Sequence, residues 1–175
     1  MLVELLTGEL RGEIKSLCGA MIVGEGRWEE AIALSRSTDA QLAFRAAWGL
    51  EWAWAESPEG LRPHLETFLY AFARSDNGSV HRIYSKMIND MLRRGWEFSR
   101  GRRTEVVAKS FDLLIDSATR PAVKVWSMEI VYRLRGEEPW IADALAETLA
   151  AMLTSPEASP GLVNRASKTL KRLAK

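Results

Sequence analysis

The 175-residue chain holds two histidines, His64 and His81, and one cysteine, Cys18, so the usual nucleophiles and metal ligands are scarce. No HExxH, GxSxG or phosphate-binding glycine loop is present. Gly24-Glu25-Gly26 lacks the preceding strand and the further glycines of a dinucleotide fingerprint, and reads as a turn. His81 has no second ligand at helical spacing, which favours a solvated or hydrogen-bonded histidine over a metal ligand. Carboxylates pair at Glu29/Glu30, Glu137/Glu138 and Asp112/Asp116, but charged helix faces produce such pairs routinely. Cys18 has no partner for an internal disulfide and is expected to be buried as a small apolar residue. The chemistry points to a non-enzymatic protein with no catalytic residue, cofactor or metal.

What remains is the chemistry of recognition. Four rows of residues spaced by four each lie along one helix: Phe44/Trp48/Trp52, His81/Ser85/Asn89, Lys124/Met128/Tyr132 and Asn164/Lys168/Arg172. The rows grade from aromatic to basic, which suits a peptide or helix with an apolar end and an acidic end. Trp48, Trp52, His81, Lys124, Met128, Tyr132, Lys168 and Arg172 are therefore the candidate partner-binding residues. The competing explanation is that residues 2–22 fold over the aromatics and that the basic end is a solvated face. A second set, Arg93, Arg94, Arg100, Arg102 and Arg103, interleaves with Trp96 and Phe98 in what reads as the longest connector, 93–103. Such a stretch can grip phosphates while stacking bases, so nucleic-acid binding is the alternative function. The quieter reading has the aromatics plugging a gap between repeats while the arginines stay in water.

The elements that must position these residues are helices. Leu65/Phe68/Leu69/Phe72, Val107/Phe111/Leu114/Ile115 and Ile141/Ala144/Leu145/Leu149/Met152 recur at intervals of three and four, as one buried helix face requires. Pro58, Gly78, Gly101, Pro121, Pro139 and Pro160 fall between helical stretches, and Pro63 is expected in a first turn or at a kink. Asp39, Asp76, Thr119 and Ser159 can each accept from the open amides of a helix start, and they recur at 37, 43 and 40 residues. Four, seven and eleven residues after each comes an apolar side chain: Ala43/Ala46/Leu50, Val80/Ile83/Met87, Val123/Trp126/Ile130 and Val163/Ala166/Leu170. Each such helix follows an amphipathic one across a short connector, so the unit is an antiparallel hairpin that needs neighbours to bury its faces. The expected hairpins are 27–55, 58–94, 103–135 and 138–174, in a single domain, with an amino-terminal helical cap at 1–26 broken near Gly8 and Gly12.

These features resemble the HEAT and armadillo repeats. The resemblance rests on Asp39…Ala43-Phe44-Arg45, Asp76…Val80-His81-Arg82 and Val163-Asn164-Arg165-Ala166, and it covers residues 27–174. It implies an all-α, right-handed α-α superhelix of about four hairpins, with second helices lining a concave face that binds a protein or peptide. It also implies that Arg45, Arg82 and Arg165 belong to an Asp–Arg ladder between repeats, with Thr119 and Val125 departing from the pattern in the third repeat. The helical-repeat alkylation-repair glycosylases are similar in architecture, but no position here matches their catalytic aspartate.

Charge and hydropathy bound the partners. Residues 1–75 carry 7 basic and 11 acidic side chains, residues 76–135 carry 12 and 7, and residues 136–175 carry 5 and 5. The middle alone is electropositive, whereas a dedicated duplex-binding domain is usually basic throughout. No apolar run approaches the roughly 20 residues of a membrane span, and the amino terminus lacks a signal peptide's basic flank, so a cytoplasmic protein without membrane contact is expected. Seven tryptophans leave the oligomeric state open.

Overall fold

In the computed structural model, which describes residues 1–8 and 12–175, the regular structure is helical throughout. The amino-terminal cap is α1 (Leu2–Thr7) and α2 (Ile14–Glu25); its expected break lies partly at residues 9–11, outside the described residues. The hairpins are α3 (Trp28–Leu34) with α4 (Ala40–Glu56), α5 (Pro58–Leu61) and α6 (Leu65–Arg74) with α7 (Gly78–Arg93), α8 (Arg100–Ile115) with α9 (Pro121–Leu134), and α10 (Pro139–Thr154) with α11 (Pro160–Leu173). Pro63 sits in a 3-10 turn, Arg62–His64, between α5 and α6, so it kinks this first arm without costing a mid-helix hydrogen bond.

Helix starts follow from side chains that satisfy open amides. The Asp39 carboxylate accepts from the Gln41 and Leu42 amides, and Ser159 Oγ accepts from the Leu162 amide at 3.3 Å. Two expected caps are displaced. Asn77, directly before the first helical residue, accepts from Ser79 and Val80 in place of Asp76. At α9 the cap position is Arg120 with no side-chain bond, not Thr119, because Pro121 at the first helical position has no amide to satisfy. Ser99 caps α8 through the Arg102 amide at 3.4 Å, so Arg100, Arg102 and Arg103 belong to a helix and not to the connector in which sequence placed them.

The chain divides into two compact units, Met1–Met87 and Ile88–Lys175. In the first, Phe68, Phe72 and Tyr84 are fully buried, and each such side chain contributes about 2–3 kcal/mol of hydrophobic stabilisation. Tyr84 keeps its hydroxyl satisfied by donating to Ser35 Oγ at 2.5 Å, while Ser35 donates to the Ile32 carbonyl. In the second unit Val106, Leu113, Leu114, Val123, Ile130, Leu145, Leu149 and Ala166 form the core. Gly95, with φ of 78°, ends α7 in the left-handed conformation, and the Trp96 amide returns to the Met91 carbonyl at 3.0 Å. That closure buries Trp96 and Phe98 at 6 % and 5 % exposure, so both aromatics plug the core.

The predicted apolar stripe is buried at Ala43, Ala46, Leu50, Val80, Ile83, Met87, Val123, Ile130 and Ala166. Trp126, Val163 and Leu170 depart from it, each lying half-exposed.

Candidate partner-binding surface

The aromatic row lies under the cap. Helix α2 packs along α4, and a Cβ at Gly19 would run into the Trp52 ring, while one at Gly49 would run into Cys18 Sγ. Two glycines thus let the helices touch backbone to side chain, leaving Phe44, Trp48 and Trp52 half-buried. Phe44 and Trp48 stack with centroids 5.5 Å apart, and Lys15 Nζ lies 5.7 Å from the Trp48 ring. Burial, and secondarily the negative charge of Glu30, pushes the Cys18 thiol up to about 12, so it is an inert core residue.

The second row faces inward. His81 is 7 % exposed and its Nε2–H donates to the Ser75 carbonyl at 2.6 Å, which sets the tautomer because a carbonyl only accepts. Ser85 is fully buried and donates to the His81 carbonyl, and Asn89 Oδ1 accepts from Arg133 Nε at 2.9 Å. His81 therefore offers almost no surface to a partner. Met128 offers none at 0 % exposure. Both side chains sit on flanks that neighbouring helices cover.

The polar cross-links between second helices differ from the Asp–Arg ladder the resemblance implies. Asp39 is spent on its own cap, Arg45 Nη1 donates to the Leu6 carbonyl at 2.8 Å, and Arg82 and Arg165 are exposed. Instead Asn77 Nδ2 donates to the Ala40 carbonyl at 3.0 Å, joining the starts of α4 and α7. Glu51 accepts from Lys15 and Lys86, each at 2.7 Å. In the second unit Glu129 receives both Arg172 guanidinium nitrogens, at 2.7 and 3.1 Å, and Arg133 Nη2 at 3.3 Å. Hydrogen bonds from Arg172 hold the Glu129 carboxyl below its ordinary range, outweighing the opposing effect of burial. For Glu51 burial is the largest influence and raises the value, yet Lys15 and Lys86 together bring it below the ordinary range. Sequence reasoning passed over Glu51 and Glu129; the signal for Glu129 was its standing as the one acid in α9 and α11.

Around Glu129 the third and fourth rows do converge. The Tyr132 ring lies between Arg172 and Arg135, whose guanidinium carbons are 3.8 and 4.0 Å from its centroid. Lys168 is exposed, and Lys124 is half-buried at the rim of an open depression of about 630 Å³ whose walls include Ile115, Thr148, Met152 and Leu162.

The arginine set is brought together with carboxylates. Arg93 and Arg94 pair with Asp90 at 2.5 and 2.8 Å, Arg100 with Glu138 at 3.4 Å, Arg102 with Glu105 at 2.5 Å and Arg103 with Glu137 at 2.6 Å. Trp96 and Phe98, being buried, present no face for a base to stack on. Among the described residues no group of three or more His, Cys, Asp or Glu converges as a metal site, and no helix is long and apolar enough to cross a membrane.

A family profile described as a HEAT repeat domain matches residues 4–173. The chain belongs to the HEAT repeat family. A crystal structure of an engineered protein from the Northeast Structural Genomics Consortium is similar to this HEAT repeat chain, with a TM-score of 0.61. The two are 14 % identical over 98 % of this chain and 79 % of the engineered one, a likeness of fold alone. No curated protein matches. A HEAT repeat chain is a helical-repeat scaffold, and its cross-links at Glu51 and Glu129 are its own variation on how second helices are joined.

Proposed function

We propose that this HEAT repeat chain is a non-enzymatic scaffold that binds an acidic protein segment across the solvent-facing side of α9 and α11. One observation carries the reading. These two helices hold Lys124, Arg133, Arg165, Lys168, Lys171 and Arg172 against the single acid Glu129, which is already saturated by Arg172 and Arg133. Lys168 and Lys171 are exposed with no ion-pair partner among the described residues, and Arg165, also exposed, adds its charge to those acting on Glu129. Tyr132, between the guanidiniums of Arg135 and Arg172, fixes both cations at this surface. Surplus cations steer an acidic segment toward the surface, and the ring holds two of them in place to receive it.

The test is fluorescence anisotropy with a labelled acidic helical peptide against its neutral counterpart. Binding of the acidic probe alone is expected, weakened about tenfold or more by Arg165→Glu with Lys168→Glu, and about tenfold by Tyr132→Ala. Preference for a short oligonucleotide, with affinity falling steeply with salt, would replace this reading with nucleic-acid binding. The paired arginines and buried aromatics at 93–103 favour the protein partner.

A further inference from the structure

The last hairpin carries an apolar flank on which no described element packs. Four and eleven residues after Asp39, Asp76 and Thr119, α4, α7 and α9 hold Ala43 and Leu50, Val80 and Met87, Val123 and Ile130, all at 0–1 % exposure. In α11 the same register is Val163 and Leu170, and both are half-exposed. The reason is rotational. Helix α11 turns Leu162, Thr169 and Arg172 toward its neighbours, with Arg172 on Glu129 of α9, and 100° per residue then places Val163, Ser167 and Leu170 on the opposite flank. Helix α10 does likewise. Its Thr148 and Ala151 share a depression with Leu114 and Ile115 of α8, so Ala142, Ala146 and Leu153, the last 37 % exposed, fall on the other side.

The borders of this face carry opposite charges. On the α10 side stands Asp143 and on the α11 side stands Lys171. Both are exposed and neither has an ion-pair partner among the described residues. In an antiparallel hairpin centred on the 155–159 connector, Asp143 lies level with Lys171 on the opposite border.

We propose that this face is a dimerisation surface that pairs with itself in a second copy of the chain. A two-fold axis parallel to the helices lays α10 of one copy antiparallel over α11 of the other. The apolar flanks then meet and Asp143 of each copy meets Lys171 of the other, so both borders are matched at once. An isologous interface requires this reciprocity. A basic or acidic rim all round would repel its own copy; this one does not. Two helices about 24 Å long and about 10 Å apart offer roughly 500 Å² per copy, hence about 1,000 Å² in total. That is the lower end for a specific complex, and it corresponds to a dimer that dissociates in the micromolar range.

Sedimentation equilibrium of the full chain from about 1 to 500 μM is the test, with circular dichroism melts to verify that each variant is folded. The expected result is a monomer–dimer equilibrium that weakens with salt. Ala146→Arg, which places a charge at the apolar centre, is expected to leave a monomer. Asp143→Lys and Lys171→Glu each weaken self-association about tenfold or more, while a mixture of the two variants associates as tightly as wild type. In that mixture each copy's altered border faces a partner of opposite sign. A monomer throughout, a stoichiometry other than two, or a dimer indifferent to Ala146→Arg and to the mixing experiment overturns the proposal.

Discussion

Glu129 shows how a single side chain sets behaviour that composition does not reveal. Its carboxylate joins α9 to α11 through Arg172, and the hydrogen bonds from that guanidinium favour the ionised form in the folded chain. The unfolded chain titrates near the ordinary value of 4.5, whereas the folded value lies below it. The folded state therefore binds fewer protons in this window. The stabilisation is complete above about pH 4.5 and is lost as the pH falls through the lower, folded value. Glu129→Gln is expected to cost about 1 kcal/mol at pH 7, the scale of a partly exposed pair, and to make the fall in melting temperature between pH 5 and 3 shallower than in wild type. Parallel acid melts of the two proteins that superimpose would show that the clamp contributes nothing. Ser127 behaves in the opposite sense. Its Oγ is fully buried with no hydrogen-bond partner among the described residues, and so is that of Ser110. Since an unpaired buried hydroxyl is unfavourable, Ser127→Ala and Ser110→Ala are expected to be neutral or to stabilise by up to about 1 kcal/mol, read by urea denaturation midpoints.

At the scale of elements, the α2–α4 contact depends on two residues with no side chain. Replacing a helical glycine by alanine ordinarily gains about 1 kcal/mol of helix propensity. At Gly49 the new methyl meets Cys18 Sγ and, at 2.9 Å, Cys18 Cβ, and overpacking of this kind costs about 1–3 kcal/mol. The clash outweighs the propensity, so Gly49→Ala is expected to destabilise by about 1–2 kcal/mol in chemical denaturation. Adding Cys18→Ala restores only part of that loss, because the Cβ remains in the way; full additivity of the two changes would mean the contact is not made. This crossing also marks the limit of what sequence could show. Caps and the buried stripe were legible because they depend on neighbours within one or two turns: Asp39 and Ser159 stand where their spacing put them, and Asn77 is displaced by a single residue. The cross-links Glu51–Lys86 and Glu129–Arg172 join residues 35 and 43 apart, and their existence depends on the register in which helices pack. No local pattern encodes that register. The same holds for Trp52, whose burial follows from Gly19 on another helix, and for Met128, whose flank a neighbour covers.

For the whole molecule, the question is whether the two compact units unfold together. Repeat proteins are held by contacts between neighbouring hairpins, so loss of one hairpin propagates only as far as the interfaces around it are weaker than the hairpins they join. Leu145 is fully buried in the second unit, and truncating it to alanine removes about 2–5 kcal/mol from that unit's core. If the units are separable, hydrogen exchange of Leu145→Ala under native conditions accelerates in α10 and α11, while amides of α6, which flank the buried Phe68 and Phe72, keep wild-type protection. Leu50→Ala, fully buried in the first unit, is expected to give the mirror result, with faster exchange in α3 and α4 and unchanged protection in α10. The paired design separates two outcomes that a single melt merges, because a broad transition arises either from independent units or from gradual fraying. Equal acceleration across α6 and α10 in both variants would mean that the chain is one cooperative block, and that the division at Met87 and Ile88 is one of contact density alone.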